Sequence, residues 1–124
     1  MSKPLLGIWN LVSWDLEYQD GPLEPYGPLK PQGFLLYSSD GNMAVSIYEV
    51  EESRLITSYG GPYEYHEGQV VHYPVQGLSP NGVHNKKVRF IDIDQDLLTL
   101  TTAWSDGTDA RVFRHRLQWV RSTN

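Results

Sequence analysis

The residues in this chain that could do chemistry are a few histidines, tyrosines and arginines that strand pairing turns toward one interior. The sharpest pairing is Tyr63 with His72. Glu67-Gly68 lies between them as a hairpin turn, and a two-residue turn there sets Tyr65 opposite Val70 and Tyr63 opposite His72. Directly opposed residues share a face. Histidine changes charge near neutral pH and can serve as general base or acid. A neighbouring tyrosine can donate a proton or stabilise an enolate oxygen. The same juxtaposition also reads as a satisfied buried hydrogen bond without chemistry. His115 is the second candidate, on the far wall, and it too reads equally as a core histidine bonded to a neighbour. His66 and His84 fall on loop or outer-face positions.

Two further turns set the rest of the interior. Asp-Gly favours a tight hairpin because both central residues take φ > 0. Around Asp40-Gly41, a two-residue turn opposes Ser38 to Met43, Leu36 to Val45 and Phe34 to Ile47. That face is almost wholly apolar and is expected inside. Leu35, Tyr37, Ala44, Ser46 and Tyr48 then face outward, as a surface for another element or a second copy. Around Asp106-Gly107, Thr102 opposes Arg111, Leu100 opposes Phe113 and Leu98 opposes His115, again as the inner set. The link Asp94-Gln95-Asp96 stays open. A three-residue loop turns Val88, Phe90 and Asp92 inward, and a two-residue loop turns Arg89, Ile91 and Ile93 inward.

The resulting interior is aromatic and aliphatic with a few polar groups. Its ligand-facing candidates are Phe34, Leu36, Met43, Val45, Tyr65, Arg89, Leu100, Arg111 and Phe113. A small barrel that only fills itself uses Val, Ile, Leu and Ala. Convergent polar groups in an apolar setting describe a small-molecule site instead. Arg111 or Arg89 could meet a carboxylate or enolate. A hydrolytic triad is disfavoured, because nothing places a histidine and a carboxylate beside Ser38.

The elements that carry these residues are short and strand-like. Strands are expected at Gly7–Tyr18, Gly33–Ser39, Asn42–Glu49, Pro62–His66, Gln69–Gln76, Lys87–Ile93, Leu97–Trp104 and Ala110–Arg121. Glu49 to Ser58 has moderate helical character. The stretch from Gly21 to Pro31 holds four prolines, which bars a central strand or helix interior. It reads as a long loop, either a plain connector or a lid over an opening. Pro80-Asn81-Gly82 marks another loop. Closely spaced turns between short strands mean an all-β barrel or sandwich.

Composition narrows the function classes. The chain has 124 residues, room for one domain spanning residues 1–124. It has no cysteine, so neither disulfides nor thiolate chemistry are available. The net charge is −5 without a strong basic cluster, which argues against nucleic acid. No signal peptide opens the chain and no apolar run approaches a membrane span, so a soluble cytoplasmic protein is expected. Neither a metal-ligand spacing nor a glycine-rich phosphate loop is present, and no cofactor is expected.

Several segments resemble one family in order along the chain. Gly7-Ile8-Trp9 looks like the Gly-x-Trp opening of lipocalins. The closing segment Leu117-Gln118-Trp119-Val120-Arg121 looks like the source of the basic residue that packs over that tryptophan. More narrowly, five segments resemble the bacterial and fungal lipocalin-like domain family. These are Gly7-x-Trp9-x-Leu11-Val12-Ser13, Tyr26-Gly27-Pro28, Gly33-Phe34-Leu35-Leu36-Tyr37 with Asp40-Gly41-x-Met43, Tyr59-x-Gly61-x-Tyr63, and His72. The resemblance implies an antiparallel up-and-down calycin-type β-barrel of about 8–10 strands, with at most one short helix and a ligand cavity. Two functions follow as expectations. One is binding of a small, largely apolar molecule, aromatic, isoprenoid or polyketide-like, in the barrel interior. The other is a cofactor-independent isomerase, cyclase or lyase acting on such a molecule through Tyr63 and His72. A fully packed structural barrel is the third reading, and a homodimer is compatible with all three.

Overall fold

The computed structural model describes residues 3–26, 31–78, 84–106 and 111–122. Among the described residues, a 3-10 turn, Lys3–Leu5, precedes eleven strands. In chain order these are β1 (Gly7–Tyr18), β2 (Leu23–Pro25), β3 (Pro31–Tyr37), β4 (Asn42–Glu49), β5 (Arg54–His66), β6 (Gln69–His72), β7 (Gln76–Gly77), β8 (Lys87–Asp94), β9 (Leu97–Thr101), β10 (Ser105–Asp106) and β11 (Val112–Arg121). Eight of them, β1, β3, β4, β5, β6, β8, β9 and β11, pair antiparallel in sequence, and β11 returns to pair with β1. The wall is therefore a closed up-and-down barrel, which removes exposed sheet edges. The short strands β2, β7 and β10 pair onto β1, β5 and β11.

One end is sealed by the chain termini. Trp9 is fully buried and its indole N–H donates to the Leu5 carbonyl at 2.9 Å. The Arg121 guanidinium lies 4.2 Å from the Trp9 ring and donates to the carbonyls of Leu6 and Pro4. This is the basic residue over the tryptophan that the resemblance implies. Gly7 sits at φ 118°, a conformation that side chains rarely adopt, with Arg121 directly above it.

The Glu67-Gly68 turn holds as expected, with Tyr63 opposite His72 and Tyr65 opposite Val70. The link between β8 and β9 takes the two-residue form, Gln95-Asp96, with Gln95 at φ 57°. Arg89, Ile91 and Ile93 therefore face inward.

The Asp40-Gly41 turn is one residue longer than expected. Gly41 has φ 93° but Asp40 does not have positive φ, and the Gly41 N–H reaches the Ser38 carbonyl. This is a three-residue loop closing on a left-handed glycine. The Ser38 hydroxyl bonds the Asp40 carboxylate and the Asn42 carbonyl, which holds Asp40 in its right-handed turn position. Tyr37 thus pairs with Met43 and Leu35 with Val45. The single-residue slip inverts one strand. Leu35 and Tyr37 are buried, while Phe34 and Leu36, expected inside, stand on the outer wall with Phe34 47 % exposed. The β4 half of the assignment, Met43, Val45 and Ile47, is buried.

The pairing of β9 with β11 is displaced by four residues. Leu100 meets Leu117 and Leu98 meets Trp119, in place of Phe113 and His115. Thr102 and His115 exchange a backbone bond and a side-chain bond instead. The chain here takes a longer excursion through β10, and Gly107 and Ala110 lie outside the described residues. An even displacement preserves the face, so Phe113 and His115 still point the same way as Leu117 and Trp119.

Other boundaries move for local reasons. Glu49 to Ser58 forms a turn at 50–53 and then the start of β5, not a helix. The buried Glu49 carboxylate accepts from the Glu52 N–H and pairs with Arg54, which closes that turn. The strand expected over Gln69–Gln76 ends at His72, because Tyr73-Pro74-Val75 lies across Gly61. The strand expected over Leu97–Trp104 ends at Thr101. Pro80-Asn81-Gly82 lies outside the described residues.

Candidate functional site

A cavity of about 270 Å³ opens inside the barrel, at the end away from the Trp9 seal. Its apolar wall comes from β3, β4, β9 and β11 through Leu35, Val45, Leu100, Leu117 and Trp119. Trp14 reaches it because of a bulge in β1. Leu11 pairs with Trp119 and Ser13 with Gln118, so Val12 is the extra residue and is 57 % exposed. The bulge reverses the alternation, so that Trp9 and Leu11 and then Trp14 and Leu16 all face inward.

Part of the proline-rich stretch contributes to the cavity lining. β2 pairs with Asp15–Glu17 and delivers Tyr26, which stacks on Trp14 at 4.7 Å and meets His115 edge-on at 5.0 Å. Tyr26 lines the cavity. Gly27 to Lys30 lies outside the described residues.

His72 sits on the polar wall but does not work with Tyr63. The Tyr63 hydroxyl donates to the Ser38 carbonyl at 3.0 Å. Both His72 ring nitrogens are engaged by other tyrosines, Nε2 by Tyr37 Oη at 2.6 Å and Nδ1 by Tyr59 Oη at 2.7 Å. Burial first, then the charges of Arg89 and Lys87, push the His72 pKa down to about 3, so the ring is neutral. A neutral imidazole has one donor and one acceptor. Tyr37 is buried and has no other acceptor among the described residues, so the network assigns its O–H to Nε2. Nδ1 then donates to Tyr59, whose own proton is left for the cavity. Burial raises both phenols, Tyr59 to about 12, so both remain protonated.

His115 faces the same space from β11. The Trp14 indole N–H donates to its Nδ1 at 3.0 Å, which places the ring proton on Nε2. Burial, and after it the Arg89 charge, lower its pKa as well. Arg89 and Lys87 come from β8, with Lys87 directly opposite His72 in register. Lys87 also lies over the Tyr59 ring at 5.4 Å. Among the described residues neither cation has a carboxylate within ion-pair distance, and no carboxylate lines the cavity.

Of the residues singled out from sequence, His72, His115, Val45, Arg89 and Leu100 line this cavity. Tyr63, Met43 and Tyr65 pack in or against the core elsewhere. Phe34 and Leu36 are corrected to the outer wall. Phe113 packs against Tyr18 and His115 without lining the cavity. Arg111 lies at the rim, its guanidinium 3.6 Å from the Tyr18 ring and 4.0 Å from Asp20. Sequence reasoning missed Tyr37, Tyr59, Trp14 and Lys87. Lys87 was readable by alternation from Arg89 in the two-residue alternative, Tyr59 by alternation from Tyr63 had the strand been drawn longer, and Tyr37 and Trp14 depended on a loop length and a bulge.

The lipocalin-like domain family model matches residues 6–58, the part of the chain that opens with Gly7-Ile8-Trp9. The chain is also similar to a solved structure of a redesigned β-barrel. That match has 16 % identity, covers 94 % of this chain and 92 % of that one, and has a TM-score of 0.44. No curated protein matches the chain.

Proposed function

We propose that this chain, whose residues 6–58 match the lipocalin-like domain, binds a small, largely apolar molecule inside the barrel. A lipocalin-like barrel suggests small-molecule binding. The observation that carries the reading is the cavity inside the barrel, with an aromatic and aliphatic wall and a few polar groups. An engineered cavity of about 150 Å³ holds benzene. By proportion, this one suits a ligand of roughly ten to twelve heavy atoms. Trp14, Tyr26 and Trp119 line the cavity, and an aromatic lining favours a flat or aromatic ligand.

The alternative, acid–base catalysis through Tyr63 and His72, has less support from the geometry. An efficient general base has a pKa near the working pH. His72 lies far below it, and both its nitrogens are already bonded. Its role in this reading is to hold Tyr59 in place.

The test is a thermal-shift screen with small aromatic, isoprenoid and polyketide-like acids, enones and phenols. Val45→Phe, which places a ring in the cavity, is the control. The expected result is a rise in melting temperature for one chemical class, lost in a folded Val45→Phe variant. A rise that survives in that variant would place binding elsewhere, and no rise for any class would contradict the reading.

A further inference from the structure

We propose that the cavity takes its ligand as an oxyanion, the ionised form of a small carboxylic acid, phenol or enol, with the charged oxygen against the wall formed by β5, β6 and β8. The inference rests on the cavity being a ligand site and adds the chemistry of the ligand.

Beside the hydroxyls of Tyr26, Thr57 and Thr102, which donate or accept, the cavity is lined by several groups that offer donors. Arg89 and Lys87 bring two positive charges from β8. The Tyr59 O–H is released toward the cavity by the Tyr37–His72–Tyr59 chain. His115 carries its proton on Nε2, because Nδ1 accepts from Trp14. Trp119 supplies an independent observation. It is 1 % exposed, it lines the cavity, and its indole N–H is buried with no partner among the described residues. A buried donor without an acceptor is rare and costly. Among the described residues, the titratable groups that line the cavity are Tyr26, Tyr59, His72, Lys87, Arg89 and His115, and no Asp or Glu is among them.

A neutral apolar ligand would displace water from both cations, of which Arg89 keeps a hydrogen bond to the Val88 carbonyl and Lys87 its place over the Tyr59 ring, and would offer the three donors no acceptor. An ammonium ligand would meet like charge. An oxyanion satisfies both, because it brings negative charge and several acceptor lone pairs to one place. The apolar remainder then lies between the aromatic rings and Leu35, Leu100 and Leu117.

Two probes of matching size separate this inference from the reading it rests on. 4-Nitrophenol ionises near neutral pH and its two forms absorb differently, and 4-nitroanisole is a neutral counterpart. The inference expects 4-nitrophenol to bind as the phenolate about tenfold more tightly than as the phenol, lowering the bound probe's apparent pKa by about one unit. Arg89→Met and Lys87→Met, each checked for an unchanged fold by melting, should each lose most of that shift while 4-nitroanisole binds at least as tightly as to the parent. Binding of both probes with no shift toward phenolate would overturn the inference and leave the cavity reading standing. So would a phenolate preference unchanged in both folded variants. Binding of neither probe would overturn the inference together with the reading beneath it.

Discussion

At the scale of single residues, the account turns on how a histidine is kept neutral. His72 is buried beside Arg89 and Lys87, and two tyrosine hydroxyls occupy its nitrogens. Its pKa is about 3 in the folded chain against an ordinary 6.5. Between those values the unfolded chain binds a proton that the folded chain excludes. Stability from this group is therefore full above pH 6.5 and is lost as pH falls toward 3, at up to about 1.4 kcal/mol per pH unit. The lowered pKa of His115 acts in the same direction. Urea unfolding at about pH 7.5 and about pH 5 measures the loss. His72→Gln should be less stable at the higher pH, by roughly 1–3 kcal/mol for the broken chain, and should show a shallower decline toward the lower pH. Equal declines in the two proteins would show that His72 does not govern this dependence.

At the scale of elements, short turns and bulges decide which side chains meet. Where the turn was the expected length, as at Glu67-Gly68, the face of every neighbour was legible from alternation alone. At Asp40-Gly41 the residue pair was right for a turn, but the Ser38 hydroxyl stabilises a longer loop, and one residue of difference moved Tyr37 from the outer wall to the core. Both faces of β3 carry large hydrophobic side chains, Phe34 and Leu36 on one and Leu35 and Tyr37 on the other, so alternation of polarity could not correct the slip. The link at Gln95-Asp96 was legible only as two alternatives, and its two-residue form is what brings Arg89 inside. In β1 the change of phase from Trp9 and Leu11 to Trp14 and Leu16 carries a trace of the bulge at Val12, but two turn-free strand halves do not say which half faces in. Gly61 shows the tightest constraint. A Cβ there would overlap the Tyr73 carbonyl and crowd the Val75 nitrogen, in the segment that follows His72 directly. Gly61→Ala should cost about 1–3 kcal/mol, as overpacked sites do, and should disturb the His72 environment, read as a lowered urea midpoint. A midpoint equal to that of the parent would mean that the crossing segment yields freely.

At the scale of the whole molecule, one end is plugged and the other holds the cavity. β11 pairs with β1 along most of its length, and Arg121 over Trp9 ties both termini to the same seal. The four tryptophans divide along this axis. Trp9 belongs to the seal, with its N–H on Leu5. Trp104 lies outside under Arg114, 39 % exposed. Trp14 and Trp119 line the cavity. Their indole N–H groups are therefore four separate reporters of where a ligand goes. The most direct test of the central claim is a titration of the ¹⁵N-labelled protein with 4-nitrophenol, following those four resonances. The account predicts that the signals of Trp14 and Trp119, which line the cavity, move in a saturable way, while that of Trp104 stays in place. A saturating probe that leaves Trp14 and Trp119 unmoved, or that moves Trp104 alone, would contradict it.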